Sequence, residues 1–417
     1  MRAAIIAAGS RGDVQPYVAL GKGLKEAGHT VRVLASQDFQ SLITAHGLEF
    51  FDMGGSMATV AQGMESLLEQ GNIIKILSSM GPTAQRLVGQ AAVSGLAACQ
   101  GVELILGGLG GLFVGVALSE KLGTPFVPAY LYPFTPTREF ASVLAPLPGM
   151  GLPPWANSLS HRLTQQMMWQ TFRAADTKAR RQVLQIAPAP FWGPFAAFQR
   201  DSQTILYGYS QHVIPFPKDW DGSKHVTGYW FLEPSAGWEP PADLLEFLHS
   251  GPPPVYIGFG SMVNRKPEEV ADLVLQALAR SGQRGVLAAG WGGLKGGELP
   301  DTVFMSGSMP HNWLFPRMAA VVHHGGVGTT AAGLWAGVPA VVTPFFGDQP
   351  FWGQRVYELG VGPRPIPRQR LTADRLAEAI HCAVSDTAMR ERAARLGERI
   401  RAENGIARAV AVIEQSR

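Results

Sequence analysis

Two short segments of this chain combine glycine with residues that handle anions or protons. They are Gly9-Ser10-Arg11-Gly12-Asp13 and His323-His324-Gly325-Gly326-Val327-Gly328-Thr329-Thr330. Each follows an apolar run of strand length and opens a helical pattern. A strand that enters a helix through glycines exposes unpaired backbone N–H groups at the positive end of the helix dipole, and such a corner can bind a phosphate without a metal. The second segment is the stronger candidate: its glycines permit close approach, His323 and His324 stand at the strand end, and Thr329 and Thr330 add hydroxyl donors. Taken alone, it is also compatible with a tight corner capped by threonine. A third turn, Gly258-Phe259-Gly260-Ser261, follows another strand, and Ser261 could reach the same anion.

Other chemistries have weaker support. None of these turns is a GxGxxG, and no GxxxxGK[ST] occurs, so dinucleotide and nucleoside-triphosphate fingerprints are missing. Asp38 lies near the end of the second strand, where a ribose-binding acid stands in a nicotinamide domain; this keeps an oxidoreductase open, with a plain loop acid as the commoner explanation. Asp219-Trp220-Asp221 spells DxD, a metal-holding pattern in some sugar-transferring enzymes. It falls in a proline-rich connection without a strand end beside it, so metal-independent chemistry is expected. Cys99 and Cys382 stand far apart and form neither a CxxC nor a ligand cluster, which argues against disulfides and zinc and for a reducing compartment.

The elements that must position these residues alternate. Apolar runs at Ala3–Ala8, Thr30–Ala35, Leu104–Leu106 and Pro125–Pro128 read as strands, with helices near Tyr17–Ala27 and Phe39–His46, which predicts βαβ units and a parallel sheet. Prolines concentrate between Ile214 and Pro254, as in an interdomain connection. Beyond it, strands at Val255–Gly258, Gly285–Ala289, Val303–Met305 and Ala319–Val322 and a helix at Glu268–Ala279 predict a second α/β sheet. The expected domains are 1–218 and 219–395, with a C-terminal helix over 396–417. From Thr372 onward, Arg390, Glu391, Arg392, Arg395, Glu398 and Arg399 read as a solvated helical face rather than a basic membrane helix.

Composition agrees with a folded enzyme-like chain. Of 417 residues, 46% are hydrophobic and 16% charged, which excludes a disordered or highly charged scaffold. The net charge of +3 comes without a Lys/Arg block, so nothing points to nucleic acid. Leu104–Leu118 is an apolar stretch of fifteen residues interrupted by five glycines, too short to span a bilayer. The start, MRAAIIAAGSRGD, is too short in apolar residues for a signal peptide, so a cytoplasmic location is expected.

Three stretches, GSRGDVQPYVAL at 9–20, VYIGFGSM at 255–262 and PHNWLFPRMAAVVHHGGVGTTAAGLWAGVPAVVTPFFGDQPFWGQRV at 310–356, resemble the GT-B nucleotide-sugar glycosyltransferases. The likeness is nearest the sterol glucosyltransferase branch, next to bacterial antibiotic glycosyltransferases. It covers the second domain and the opening of the first and thins between about 50 and 210. The family's α/β fold is two Rossmann-like domains facing across a cleft, with a final helix returning to the first. The resemblance implies that Asp13 is the general base, which takes the acceptor hydroxyl's proton as the bond to the anomeric carbon forms; its place at a helix start also suits a cap. It implies that His323, Gly325, Gly326, Gly328, Thr329 and Thr330, with Ser261, hold the donor diphosphate, that Asp348 and Gln349 contact the sugar, and that His311 lies near the base. The sequence departs from the plant relatives at Ala331, where they place a ribose-binding Glu, and at Ser308, where they stack a Trp, which leaves the choice between uridine and thymidine donors open.

Residues 126–198 hold twelve aromatics in 73 positions, where this family builds its acceptor pocket. Tyr130, Tyr132, Phe134, Trp169 and Trp192 are candidates to line an apolar site for a lipophilic alcohol, with ordinary core packing as the alternative for any one of them. The expected activity is inverting transfer of a hexose, from UDP-glucose or alternatively a dTDP-sugar, to a hydroxyl of a sterol, triterpenoid or polyketide. No metal or other cofactor is expected. Partners are the nucleotide sugar and the small acceptor, with room for a weak peripheral membrane contact.

Overall fold

The computed structural model describes residues 1–55, 81–144, 151–235, 237–260, 267–288 and 299–415. They form two compact units, one built from residues up to Leu232 together with those from Glu403 onward, the other from Glu233–Ala402. Each is a parallel sheet with helical connections.

In the first unit the strands are β1 (Arg2–Ala7), β2 (Thr30–Ala35), β3 (Glu49–Asp52), β4 (Leu104–Gly107), β5 (Phe126–Tyr130), β6 (Ile205–Tyr207) and β7 (Lys224–Val226), in the order β3-β2-β1-β4-β5-β6-β7. Every pairing is parallel. Parallel pairing needs crossovers, and β1, β4 and β5 are nearly continuous apolar runs because helices cover the sheet. The helix Arg11–Glu26 buries Val14, Tyr17, Val18, Leu20 and Leu24. That spacing is one helical stripe, and each fully buried Val or Leu contributes about 1.5–3 kcal/mol. The glycine-rich apolar stretch divides into β4, a short turn at Leu109–Gly111 and the helix Leu112–Leu122. Among the described residues no helix is long and apolar enough to cross a membrane.

The second sheet has strands β8 (Val255–Gly258), β9 (Gly285–Ala288), β10 (Val303–Ser306), β11 (Ala320–His323) and β12 (Ala340–Val342), in the order β10-β9-β8-β11-β12, again all parallel. Val270, Val274 and Leu278 of the helix Pro267–Ser281 and Leu376 and Ile380 of the helix Ala373–Ser385 close its core over Val255, Ile257, Val322 and Val341. In both sheets the strand order reverses beside the first strand, at β1/β4 and at β8/β11. Ligands of open α/β sheets bind outside the carboxyl ends of the strands at such points.

The helix Gly405–Gln415 belongs to the first unit and packs against the helix Arg11–Glu26. Gly23 makes the notch: a Cβ there would collide with Ile406 Cγ2. His29 Nε2 lies 3.0 Å from Glu414 Oε1. The short strands Glu49–Asp52, Ile205–Tyr207, Lys224–Val226 and Ala340–Val342 are additions to the elements expected from apolar runs, each only three or four residues long. On the solvated side of the helix Thr387–Arg401, Arg390, Glu391, Arg395, Glu398 and Arg399 are exposed, as the charge pattern predicts, whereas Arg392 is half-buried and donates from Nε to Gly360 O at 2.7 Å.

Candidate functional site

In the first unit the corner after β1 is built around a carboxylate. Ser10 caps the helix and Asp13 is its third residue, so the Asp13 carboxylate folds back over the helix start. Its Oδ2 accepts from Ser10 N and from Ser10 Oγ, both at 2.8 Å. Gly9, at φ +137°, could not be another residue, because a Cβ there would run into this carboxylate. Asp13 is half-buried, and loss of solvent raises its pKa above the usual carboxylate value, partly offset by the two Ser10 hydrogen bonds. Tyr17, one turn on, donates from Oη to Ala129 O at 2.5 Å, and burial followed by the nearby Asp13 charge raises its pKa. Desolvation makes this carboxylate a better base than an exposed one, and the capping bonds fix its direction.

In the second unit β8 and β11 end side by side, with Gly258 opposite His323 in the parallel register. The imidazole of His324 packs against Gly260, where a Cβ would lie 2.9 Å from its Cε1, and against Gly326, where a Cβ would lie 2.5 Å from its Nε2. Gly325, at φ +92°, leaves no room for a side chain beside Val342 and the Gln349 carbonyl. The helix Val327–Ala336 begins here with Gly326 as its cap. Its first-turn N–H groups, from Val327, Gly328 and Thr329, have no intrahelical acceptor.

His323 is completely buried, and its Nδ1 accepts from Gly325 N at 3.0 Å. That bond places the proton on Nε2, which is buried without a protein partner. Burial lowers the His323 pKa to about 3, with His324 and His311 adding to the effect, so the ring is a neutral donor at physiological pH. His324 is likewise lowered by burial, to about 4, and its Nδ1 has no protein partner. A buried N–H at the open end of a helix dipole, backed by free amide groups, is an anion-binding arrangement. Thr330 is turned away from that role: its Oγ1 donates to Gly326 O at 3.0 Å, while Thr329 stays half-buried on the first turn.

Asp348 and Gln349 form the start of the helix Gln349–Glu358 and brace the loop before it. Gln349 Oε1 accepts from Phe345 N at 2.8 Å and Phe346 N at 3.3 Å, and Asp348 Oδ2 accepts from the buried Trp352 Nε1 at 2.8 Å. His311 opens the helix His311–Leu314, stacks on Phe315 at 4.3 Å and lies 3.4 Å from Tyr256 Oη. Ser261 lies outside the described residues. The supporting residues Tyr256 and Trp352 are not singled out by the sequence, whereas Ser10 and His324 fall inside its two candidate corners without a role of their own. The Ser-x-x-Asp spacing of a capping pair at 10–13 is the one signal that could have given Ser10 its role.

The remaining candidates are placed elsewhere. Asp38 is exposed beside Ser36, whose Oγ lies 3.2 Å from its Oδ2. Both DxD carboxylates serve the fold. Asp219 accepts from Thr137 Oγ1 at 2.6 Å and Arg138 N at 2.8 Å, and Asp221 binds Ser223 and Lys224, whose hydrogen bonds lower its pKa to about 2. Among the described residues no three His, Cys, Asp or Glu side chains are grouped to hold a metal. Of the aromatic candidates, Tyr130 and Phe134 pack together at 5.3 Å in the core, and Trp169 is buried against Phe113 with its Nε1 donating to Phe191 O. Tyr132 is half-buried and Trp192 is exposed.

Two family models match the chain: the glycosyltransferase family 28 N-terminal domain over residues 3–141, and the erythromycin biosynthesis protein CIII-like C-terminal domain over residues 287–413. A sterol 3-beta-glucosyltransferase of Arabidopsis thaliana is 35% identical over 98% of the chain, which spans 64% of that relative's length. An O-mycaminosyltylonolide 6-deoxyallosyltransferase of Streptomyces fradiae is 38% identical, with 100% of this chain and 97% of the relative aligned. Among solved structures, the glycotransferase of kitacinnamycin superposes with a TM-score of 0.72 at 21% identity, covering 100% of this chain and 98% of that one. The glycosyltransferase SnogD of Streptomyces nogalater gives 0.70 at 20% identity, covering 100% and 99%.

Proposed function

We propose, for a chain that belongs to the GT-B glycosyltransferases, that it moves a hexose from a nucleoside diphosphate sugar to a hydroxyl of a lipophilic polycyclic acceptor with inversion at the anomeric carbon. In this reading the acceptor oxygen attacks the anomeric carbon as its proton passes to the Asp13 carboxylate. The bond from that carbon to the diphosphate oxygen breaks, and its electron pair leaves with the diphosphate. The observation that carries the donor half is the buried, partnerless Nε2–H of neutral His323 beside the open first turn of the helix Val327–Ala336. Fixed donors of this kind stabilise charge on a leaving diphosphate without reorganising. Ser261, Gly325, Gly326, Gly328 and Thr329 share that role, with Asp348 and Gln349 toward the sugar and His311 toward the base. Divalent metal is not required in this reading.

Glucose from UDP-glucose and a sterol-like alcohol are the favoured pair, supported by the sterol glucosyltransferase relatives. A dTDP-sugar and a polyketide acceptor form the second reading, favoured by the full-length match to the Streptomyces fradiae deoxyallosyltransferase and by a structural neighbour solved with thymidine diphosphate. Of the acceptor candidates, half-buried Tyr132 is retained and exposed Trp192 is not. The test is an acceptor screen with UDP-glucose and dTDP-glucose, comparing wild type with Asp13→Asn and repeating turnover with a chelator. Turnover in the variant should fall by about 10²–10⁴-fold, the usual worth of a positioned general base, while donor affinity stays within about twofold. Undiminished turnover in Asp13→Asn overturns the assignment of the base, and loss of turnover with chelator overturns metal independence.

A further inference from the structure

The helix Pro154–Ala179 is turned inside out over its first half. Its polar residues face the first unit's interior: Asn157 Nδ2 donates to Arg138 O, His161 Nε2 to Phe140 O and Gln165 Nε2 to Phe134 O, at 3.0–3.1 Å. Its apolar residues face outward instead, with Trp155 69%, Leu159 44% and Leu163 60% exposed. At about 100° per residue, Trp155, Leu159, Leu163, Gln166, Gln170 and Arg173 fall within about 80° of one another on a single face. Gln166 and Gln170 hold the backbone carbonyls of Trp192 and Phe191, and these two rings, 64% and 52% exposed, extend the apolar ridge along the helix. The ridge runs about 27 Å from Trp155 to Arg173 at 1.5 Å per residue.

Its charge is one-sided. Between Phe140 and Arg200 the only acid is Asp176; of the six cations there, Arg180 is buried in ion pairs with Asp176 and Glu120 and Arg200 pairs with Asp201, which leaves Arg162, Arg173, Lys178 and Arg181 on the surface. Asp176 is buried and paired with Arg180 at 2.9 Å, so it does not offset the exposed cations. The Arg173 guanidinium sits 4.6 Å over the Phe191 ring, at the edge of the apolar surface. Exposed Trp, Phe and Leu bordered by arginine is the pattern of a surface that lies in the headgroup region of a bilayer. A convex helix face suits a small ligand poorly. Two copies meeting on this face would bring like charges together.

We infer that the face formed by Trp155, Leu159 and Leu163 together with Phe191 and Trp192 docks the protein on membranes carrying anionic lipid. The test is flotation of the protein with vesicles of phosphatidylcholine alone and of phosphatidylcholine with phosphatidylglycerol, in the absence of donor and acceptor. The readout is therefore separate from the transfer reaction proposed above. Wild type should float with the anionic vesicles and be released by salt. Leu159→Ser/Leu163→Ser should bind at least about tenfold more weakly, with unchanged thermal melting and unchanged KM for a water-soluble acceptor. Arg162→Glu should weaken binding to anionic vesicles and leave neutral vesicles unaffected. Three results would overturn the inference: wild type that fails to float with anionic vesicles, a double variant that floats equally well, or a double variant whose only change is a raised KM or a switch from dimer to monomer in ultracentrifugation.

Discussion

Replacing Gly325 by alanine adds one methyl group at the corner that is proposed to hold the diphosphate, and the structure gives the cost in two parts. The residue lies at φ +92°, where an L side chain costs about 1–2 kcal/mol. The new Cβ would stand 2.7 Å from Val342 Cγ1 and 3.0 Å from Gln349 O, and overpacking of this kind costs about 1–3 kcal/mol more. Gly347→Ala is the control: its φ is +68°, but a Cβ there meets nothing within 4 Å, so only the backbone part applies. For a unit of this size about 2–4 °C is lost per kcal/mol, so Gly325→Ala should melt about 2–12 °C below Gly347→Ala. Its affinity for UDP or dTDP, measured by calorimetry, should fall as well, because relief of the clash moves the His323 bond partner. Adding Val342→Ala should recover part of the difference, a coupling of at least about 0.5 kcal/mol in a double-mutant cycle. If the two single variants melt together and bind nucleotide equally, the close packing of this corner is not what shapes the site.

Two further outcomes follow from the same geometry. Gln349→Leu removes the acceptor of Phe345 N and Phe346 N, which should cost about 1–3 kcal/mol in urea unfolding and weaken donor binding by loosening the loop that carries Asp348. Acid should destabilise the protein through its buried histidines. Burial lowers the pKa of His161 to about 4, so below the ordinary value near 6.5 the unfolded chain takes up a proton that the folded chain refuses. This contribution is fully present above about pH 6.5 and is lost at up to about 1.4 kcal/mol per pH unit as pH falls toward 4, with His323 and His324 acting in the same sense. Urea midpoints across this range should show the loss, and His161→Gln should flatten it. A slope unchanged in that variant would show that His161 is not held neutral.

Much of the fold was legible because alternating apolar runs and helical stretches in a parallel architecture are long and self-consistent, from Arg2–Ala7 through Ala320–His323. The short strands were not, since three or four residues such as Lys224-His225-Val226 carry no period and acquire strand character only from neighbours already in place. The candidate phosphate corner was legible as glycine chemistry, but the neutral state of His323 depends on burial and on a hydrogen bond to Gly325, which no spacing reveals. The aromatic cluster shows the limit most clearly. Counting rings across 126–198 could not tell inside from outside: Tyr130, Phe134 and Trp169 fill the core, while Trp192 is exposed. In the helix Pro154–Ala179, the loop carbonyls of Phe134, Arg138 and Phe140 draw Gln165, Asn157 and His161 inward and turn the leucines out.

The notch at Gly23 imposes an order of assembly. The segment that fills it, beginning at Gly405, is synthesised after everything in the second unit, so Ile406 reaches its seat against the first helix only once Glu233–Ala402 has been made. The first unit therefore waits, with an apolar gap on its opening helix, until the second is available to fold. A nascent chain halted anywhere in between would leave that gap open to solvent.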